Sequence, residues 1–132
     1  MMFEELRASD EVIAGWRELA RQVRDALEHA GIPPHLTDDY PGSAGARVDV
    51  DCGNDEMGGV FVVWNPGAVL TQQIIESTME HRADDPAQQL FLSITTAMRE
   101  AMLVVLRASR FDVVAVDDLT HHPPRIHVLG IS

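Results

Sequence analysis

The chain has 132 residues, enough for one domain with a hydrophobic core and too few for two domains of ordinary size. Its formal net charge is −11, and its ten basic residues are all arginine. The charge argues against unaided binding to nucleic acid or to an anionic membrane, since both need a positive protein surface. The lack of lysine excludes Schiff-base chemistry and the phosphate-binding P-loop.

The chain has one cysteine, Cys52, so no intrachain disulfide can form. Residues 1–10 contain three acidic side chains and no apolar stretch behind a basic region, which is unlike a signal peptide. These features predict a protein of the reducing cytoplasm.

The first predicted helix begins after Ser9, whose hydroxyl can cap its first turn, and ends near Gly31. Between them, apolar residues recur at steps of three and four. This spacing is typical of an amphipathic helix with one buried stripe. Pro33 and Pro34 follow and prevent the helix from continuing.

Residues 35–46 show no period and are predicted to form a loop. Residues 47–52 alternate between apolar and charged side chains, which predicts a strand with one solvated face near a sheet edge. Residues 53–57 turn the chain. Residues 58–64 are predicted to form a second strand that completes a hairpin with the first.

Two helices are predicted next. Asn65 is expected to cap the first of them, with Pro66 in its first turn, and this helix reaches about residue 81. Asp85 and Pro86 repeat the start signal for a long helix to about residue 109. That helix is apolar around most of its circumference, which predicts a buried central helix.

Residues 111–116 and 125–131 are predicted strands that form a second hairpin. Residues 1–132 are therefore predicted to form a single α+β domain, a mainly antiparallel four-stranded sheet of two hairpins packed with three helices. The predicted order is α-β-β-α-α-β-β.

Three of the four strands do not alternate cleanly. Val60 and Val62 face one side of the second strand, while Phe61 and Val63 face the other. A sheet that is wet on one face should alternate between apolar and polar residues. Either the helices divide between the two faces, or a partner or a second copy covers one of them.

Acidic residues near the first hairpin are the candidate contact surface for another protein, together with an aromatic anchor at the end of the second strand. The candidate protein-binding residues are Asp38, Asp39, Asp49, Asp51, Asp55, Glu56 and Trp64. The run from Asp49 to Glu56 partly resembles a calcium loop, but its glycine is one position early and Val60 replaces the final bidentate glutamate. A solvated acidic turn is the better interpretation.

A metal site is a second, weaker hypothesis, because histidines and carboxylates lie on or beside the last strands. Its ligands would be Asp117, His121, His122 and His127. The spacing matches no usual zinc pattern, and no cysteine pair accompanies it. No cofactor is therefore predicted.

These observations favour a small, acidic, non-catalytic binding module that inhibits, neutralises or chaperones another protein, with a basic protein as one candidate. The alternative is a ligand-binding protein, metal-binding protein or enzyme that uses the Asp and His loop residues. A homodimer that shares the sheet or the central helix is compatible with both hypotheses and is expected because one apolar face lacks a cover.

Overall fold

The computed structural model describes residues 7–36, 44–53, 58–82, 84–117 and 124–132. They form helices and strands in the order α1 Asp10–His29, β1 Pro34–Leu36, β2 Gly45–Asp51, β3 Gly59–Asn65, α2 Ala68–Met79, α3 Pro86–Ala108, β4 Phe111–Val116 and β5 Arg125–Ile131. The strands make one sheet in the order β1-β2-β3-β5-β4. Strands β2, β3, β5 and β4 pair antiparallel with one another in this order, whereas β1 is parallel to β2.

The predicted α+β class and the order of two hairpins and three helices are confirmed. The sheet also has a short fifth strand that the sequence did not indicate. Residues 34–36 pair in parallel with residues 46–48, inside the segment predicted to be a loop. A strand of three residues is too short to show an alternating pattern, and Pro34 fits there because it begins a strand at the sheet edge.

Local capping signals position two of the three helices correctly. The Ser9 hydroxyl accepts a hydrogen bond from Val12 N–H at 3.2 Å, and the Asp85 carboxylate accepts one from Ala87 N–H at 2.9 Å. The predicted cap at Asn65 is wrong. Asn65 is the last residue of β3, where it is opposite Gly45, and α2 begins three residues later behind Gly67.

The core lies between one face of the sheet and the two long helices. Leu27 of α1 and Leu106 of α3 are fully buried in the same cluster as Val62 and Ile126 of the central strands. The sheet residues of this cluster all share one phase of the strand alternation. Helix α2 packs against α3. The idea that the helices divide between both faces of the sheet therefore fails for the described helices.

Helix α3 is not buried on all sides, contrary to the prediction for a central helix. Its buried residues Arg99, Met102 and Leu106 lie on one stripe that faces the sheet, whereas Leu90 and Val104 are 52% and 67% exposed. The sheet and α2 cover only part of its circumference, so an apolar surface remains on the outside.

Helix α3 is also the one described helix that is long and apolar enough to cross a membrane, judged by length and composition alone. Core helices of soluble proteins meet the same criterion. Here Arg99, in the middle of the helix, donates to the carbonyl oxygen of Val116 at 3.4 Å and pairs with Asp117, which ties the helix to the end of β4.

Gly45, the first residue of β2, provides a test of the close packing of this strand against Pro33. Its φ is 125°, and a Cβ atom there would lie 2.3 Å from the carbonyl oxygen of Pro33, which accepts the hydrogen bond from Ala46 N–H. We expect Gly45→Ala to lower the free energy of unfolding by roughly 2 kcal/mol or more. Gly15 is the matched control, since it is exposed in α1 with nothing within 4 Å of an added Cβ. Gly15→Ala should raise the free energy of unfolding by about 0.5–1 kcal/mol. Urea unfolding of both variants checks this, and equal effects of the two substitutions would contradict the assigned packing.

Candidate functional site

The second face of the sheet has no described helix on it. Cross-strand neighbours place two rows of side chains there, one with Asp49, Phe61, His127 and Val114 and one with Arg47, Val63, Arg125 and Val116. We call these eight residues the open face. It mixes apolar and charged side chains, unlike the opposite face that forms the core.

An aromatic and cationic stack occupies the centre of the open face. The rings of Phe61 and His127 lie nearly parallel, with centroids 4.5 Å apart and an interplanar angle of 16°. The Arg125 guanidinium carbon lies 4.6 Å from the Phe61 centroid, within the range of a cation–π interaction. Phe61 is only 6% exposed, and both side chains lie against its ring.

The stack depends on a glycine. Gly59 has a φ of 122°, and an added Cβ would lie 2.8 Å from Nε2 of His127. The imidazole thus fills space that any other residue would occupy. The bare glycine and the register of β3 against β5 together let His127 lie flat across the face.

Arg125 is the most unusual residue of the open face. It is 9% exposed, and its Nε donor is buried without a hydrogen-bond partner. No carboxylate of the described residues pairs with it. A buried guanidinium is normally satisfied by a carboxylate or a carbonyl oxygen, because an unmet charged donor is costly. The Nε donor of Arg125 therefore lacks an acceptor, as do the buried Nε donors of Arg24 and Arg99.

The neighbouring charges on β2 are satisfied. Arg47 Nε donates to Asp49 Oδ2 at 3.0 Å, and both side chains are partly buried. Asp51 Oδ1 accepts a hydrogen bond from Gly53 N–H at 2.9 Å, so it holds the turn after its own strand. Asp51 has the same phase in β2 as Asp49, as expected from their alternation, and lies beside the eight residues of the open face.

Trp64 lies away from these aspartates. It is opposite Ala46, in the same phase as Val60 and Val62, and its half-buried ring packs against the core cluster. The structure therefore separates the predicted aromatic anchor from Asp49 and Asp51. Phe61 has the opposite phase in the same strand, so its ring lies on the open face.

The other predicted contact residues, Asp38, Asp39, Asp55 and Glu56, lie outside the described residues. So do His121 and His122 of the metal hypothesis. Its two described members contact different residues, since Asp117 pairs with Arg99 and His127 stacks on Phe61. In the part of the chain that the structure describes, no three His, Cys, Asp or Glu side chains converge to hold a metal ion.

A shallow groove lies between the end of α2 and the start of α3, lined by Glu76, Arg82 and Asp85 among others. Arg82 is paired with Glu80 and with Asp85, each at 2.7 Å. Its charge is thus neutralised, and the groove presents no free nucleophile or base of unusual character. We assign it a structural role at the turn between the helices.

Sequence reasoning missed Phe61 and Arg125 as members of the candidate site. The signal was present, since Phe61 interrupts the expected polar phase of its strand and Arg125 shares the phase of His127. That these side chains stack depends on the register between β3 and β5, which are far apart in sequence.

The chain matches no protein-family model, and no curated protein or solved structure is significantly similar to it. The side chains of the open face are therefore the basis for the function proposed below.

Burial and the nearby Arg125 charge lower the pKa of His127 from its ordinary value of 6.5. The unfolded chain therefore binds a proton at His127 more readily than the folded chain does. The contribution of neutral His127 to the free energy of unfolding is complete above about pH 6.5 and is lost as the pH falls below it. The other charged groups on this face, Arg47 and Asp49, are paired with each other.

We expect the free energy of unfolding to fall between about pH 7.5 and pH 5.5, and His127→Phe to flatten this dependence while keeping the ring stack. Urea unfolding at a series of pH values measures it. His29→Gln, at an exposed position in α1, is the control and should leave the slope in place. A slope that survives His127→Phe would contradict the assignment.

Proposed function

We propose that this protein is a non-catalytic binding module that inhibits, neutralises or chaperones another protein, and that the open face of the sheet is its contact surface. The observation that carries the proposal is Arg125, a buried guanidinium over Phe61 whose Nε donor has no acceptor. Arginine and aromatic residues are the side chains that most often dominate the energy of protein interfaces.

The position of the stack favours a protein partner over a small ligand. Phe61, Val63 and Arg125 are neighbours on β3 and β5 and are only 6%, 5% and 9% exposed. Small-molecule sites are concave and bury most of the ligand. Val114 is 41% exposed beside His127 and offers apolar area next to the cationic centre. An exposed apolar side chain beside a buried donor fits a partner that presents a carboxylate or a main-chain carbonyl.

The overall charge adds a second element of recognition. A net charge of −11 favours encounter with a basic protein, because long-range attraction raises the association rate. The donor at Arg125 acts at short range and fixes how the partner sits. A basic partner with a local acceptor group satisfies both requirements.

The catalytic alternative has weaker support. A base or nucleophile needs a partner within hydrogen-bonding distance, and among described residues the half-buried Cys52 and His127 have no such arrangement.

We place the protein in the cytoplasm, on the ground that a single cysteine gives the fold no use for an oxidising compartment.

A photo-crosslinking residue at Val114 tests the contact surface in living cells. Val12 of α1 is the matched control, because it is 44% exposed and lies in the helical layer on the other side of the sheet. We expect one protein to be captured from position 114 and identified by mass spectrometry, and little or none from position 12. Equal capture from both positions would contradict the proposal.

The role of Arg125 is tested in the same assay. Arg125→Gln should lower the yield at position 114 at least tenfold, because a hydrogen bond to a charged group contributes about 1.5–3 kcal/mol. Arg17→Gln makes the same charge change at an exposed position of α1 and should leave the yield unchanged. Thermal unfolding must show that both variants fold. A yield insensitive to Arg125→Gln in a folded protein would remove Arg125 from the interface.

A further inference from the structure

Helix α3 has a second apolar stripe that faces away from the sheet. Its members recur at alternating steps of four and three residues, the spacing of a coiled-coil seam. The stripe consists of Leu90, Ile94, Ala97, Ala101, Val104 and Ala108. All are exposed except Ile94, which is half-buried. From end to end the stripe is roughly 27 Å long at the rise of an α-helix.

The stripe is separate from the residues that hold α3 in the fold. Arg99, Met102 and Leu106 point toward the sheet, and α1 and α2 also pack against α3. No described element covers the outward side. Large exposed apolar surfaces are uncommon on soluble monomers, so the stripe requires an occupant.

The order of residues along the stripe identifies that occupant. In a twofold dimer the same patch meets itself in reverse, so the patch must be self-complementary. Reversal about the level of Arg99 gives three pairs of the stripe's own members, namely Ala97 with Ala101, Ile94 with Val104, and Leu90 with Ala108. Two alanines meet at the centre, where they allow a close approach of the helices, and larger side chains meet smaller or equal ones on either side.

Charge points to the same occupant. The chain has 21 acidic residues, yet only one of them, Glu100, lies in α3, together with Arg99 and Arg107. Glu100 is paired with Arg99 at 3.0 Å. Two copies of a protein with a net charge of −11 repel each other over most of their surface, and α3 is the long helix where this repulsion is least.

We infer that a second copy of this chain docks on the outward stripe of α3, with the two α3 helices antiparallel about a twofold axis near Ala97 and Ala101. This interface lies in the helical layer and leaves the open face of the sheet free. It therefore does not depend on the proposed function, and the experiments below address it separately.

Light scattering on a sizing column measures the mass. The wild-type protein should have twice the monomer mass of 14.6 kDa. Ala101→Arg should raise the dimer dissociation constant at least tenfold, because it places two charges at the centre of the seam. Gln89→Arg makes the same charge change on an exposed flank of α3 and should leave the dimer intact. A wild-type monomer at all concentrations, or a dimer that survives Ala101→Arg, would overturn the inference.

Cross-linking tests the antiparallel arrangement in a Cys52→Ala background. Ala97→Cys and Ala101→Cys chains of different tag length should form a disulfide when mixed, since antiparallel packing brings position 97 opposite position 101. Each variant alone should cross-link much less. Efficient self-linking of each variant alone, as parallel helices would give, or no linking in the mixture, would overturn the arrangement.

Discussion

The packing of both long helices on a single face of the sheet is the constraint on which the rest of the structure depends. Val62 and Ile126 are fully buried under α1 and α3, so the central strands must be apolar in that phase. The same two strands also have Phe61 in the other phase, where no described helix lies. Arg125 and His127 of the neighbouring strand pack against that ring.

This side-chain cover differs from a helical cover in its chemistry. The main-chain groups of a helix are hydrogen-bonded within the helix. A guanidinium instead carries several N–H donors, and the ring beneath it offers no hydrogen-bond acceptor for them. Arg125 gains from the aromatic face but leaves its Nε donor unmet. The charge is retained in a largely desolvated position, where an incoming acceptor is attracted more strongly than in water. This unmet donor is the basis of the proposal that the open face contacts a partner.

The sequence correctly predicted the structural features that depend on residues close to one another in the chain. The caps at Ser9 and Asp85, the end of α1 at Gly31 and the two hairpins were all correct, because their signals lie within a few positions of the element. The failures depend on distant residues. Asn65 resembles a helix cap, but pairing with Gly45 keeps it in a strand. The candidate site was predicted only in part, since no local pattern gives the register of β3 against β5 that brings Phe61, His127 and Arg125 together.

Helix α3 shows why composition alone misjudged how a helix is buried. A helix that is apolar nearly all round was expected to be buried on every side. The structure divides that circumference, with one stripe of large residues on the sheet and another, richer in alanine, on the outside. Two separate stripes of different residue size indicate two separate contacts rather than one enclosing core. Because Arg99 marks the inner stripe and is paired with Asp117, the helix cannot rotate to exchange them. The outer stripe is therefore a fixed feature of the surface, in position for a contact that the single chain does not supply.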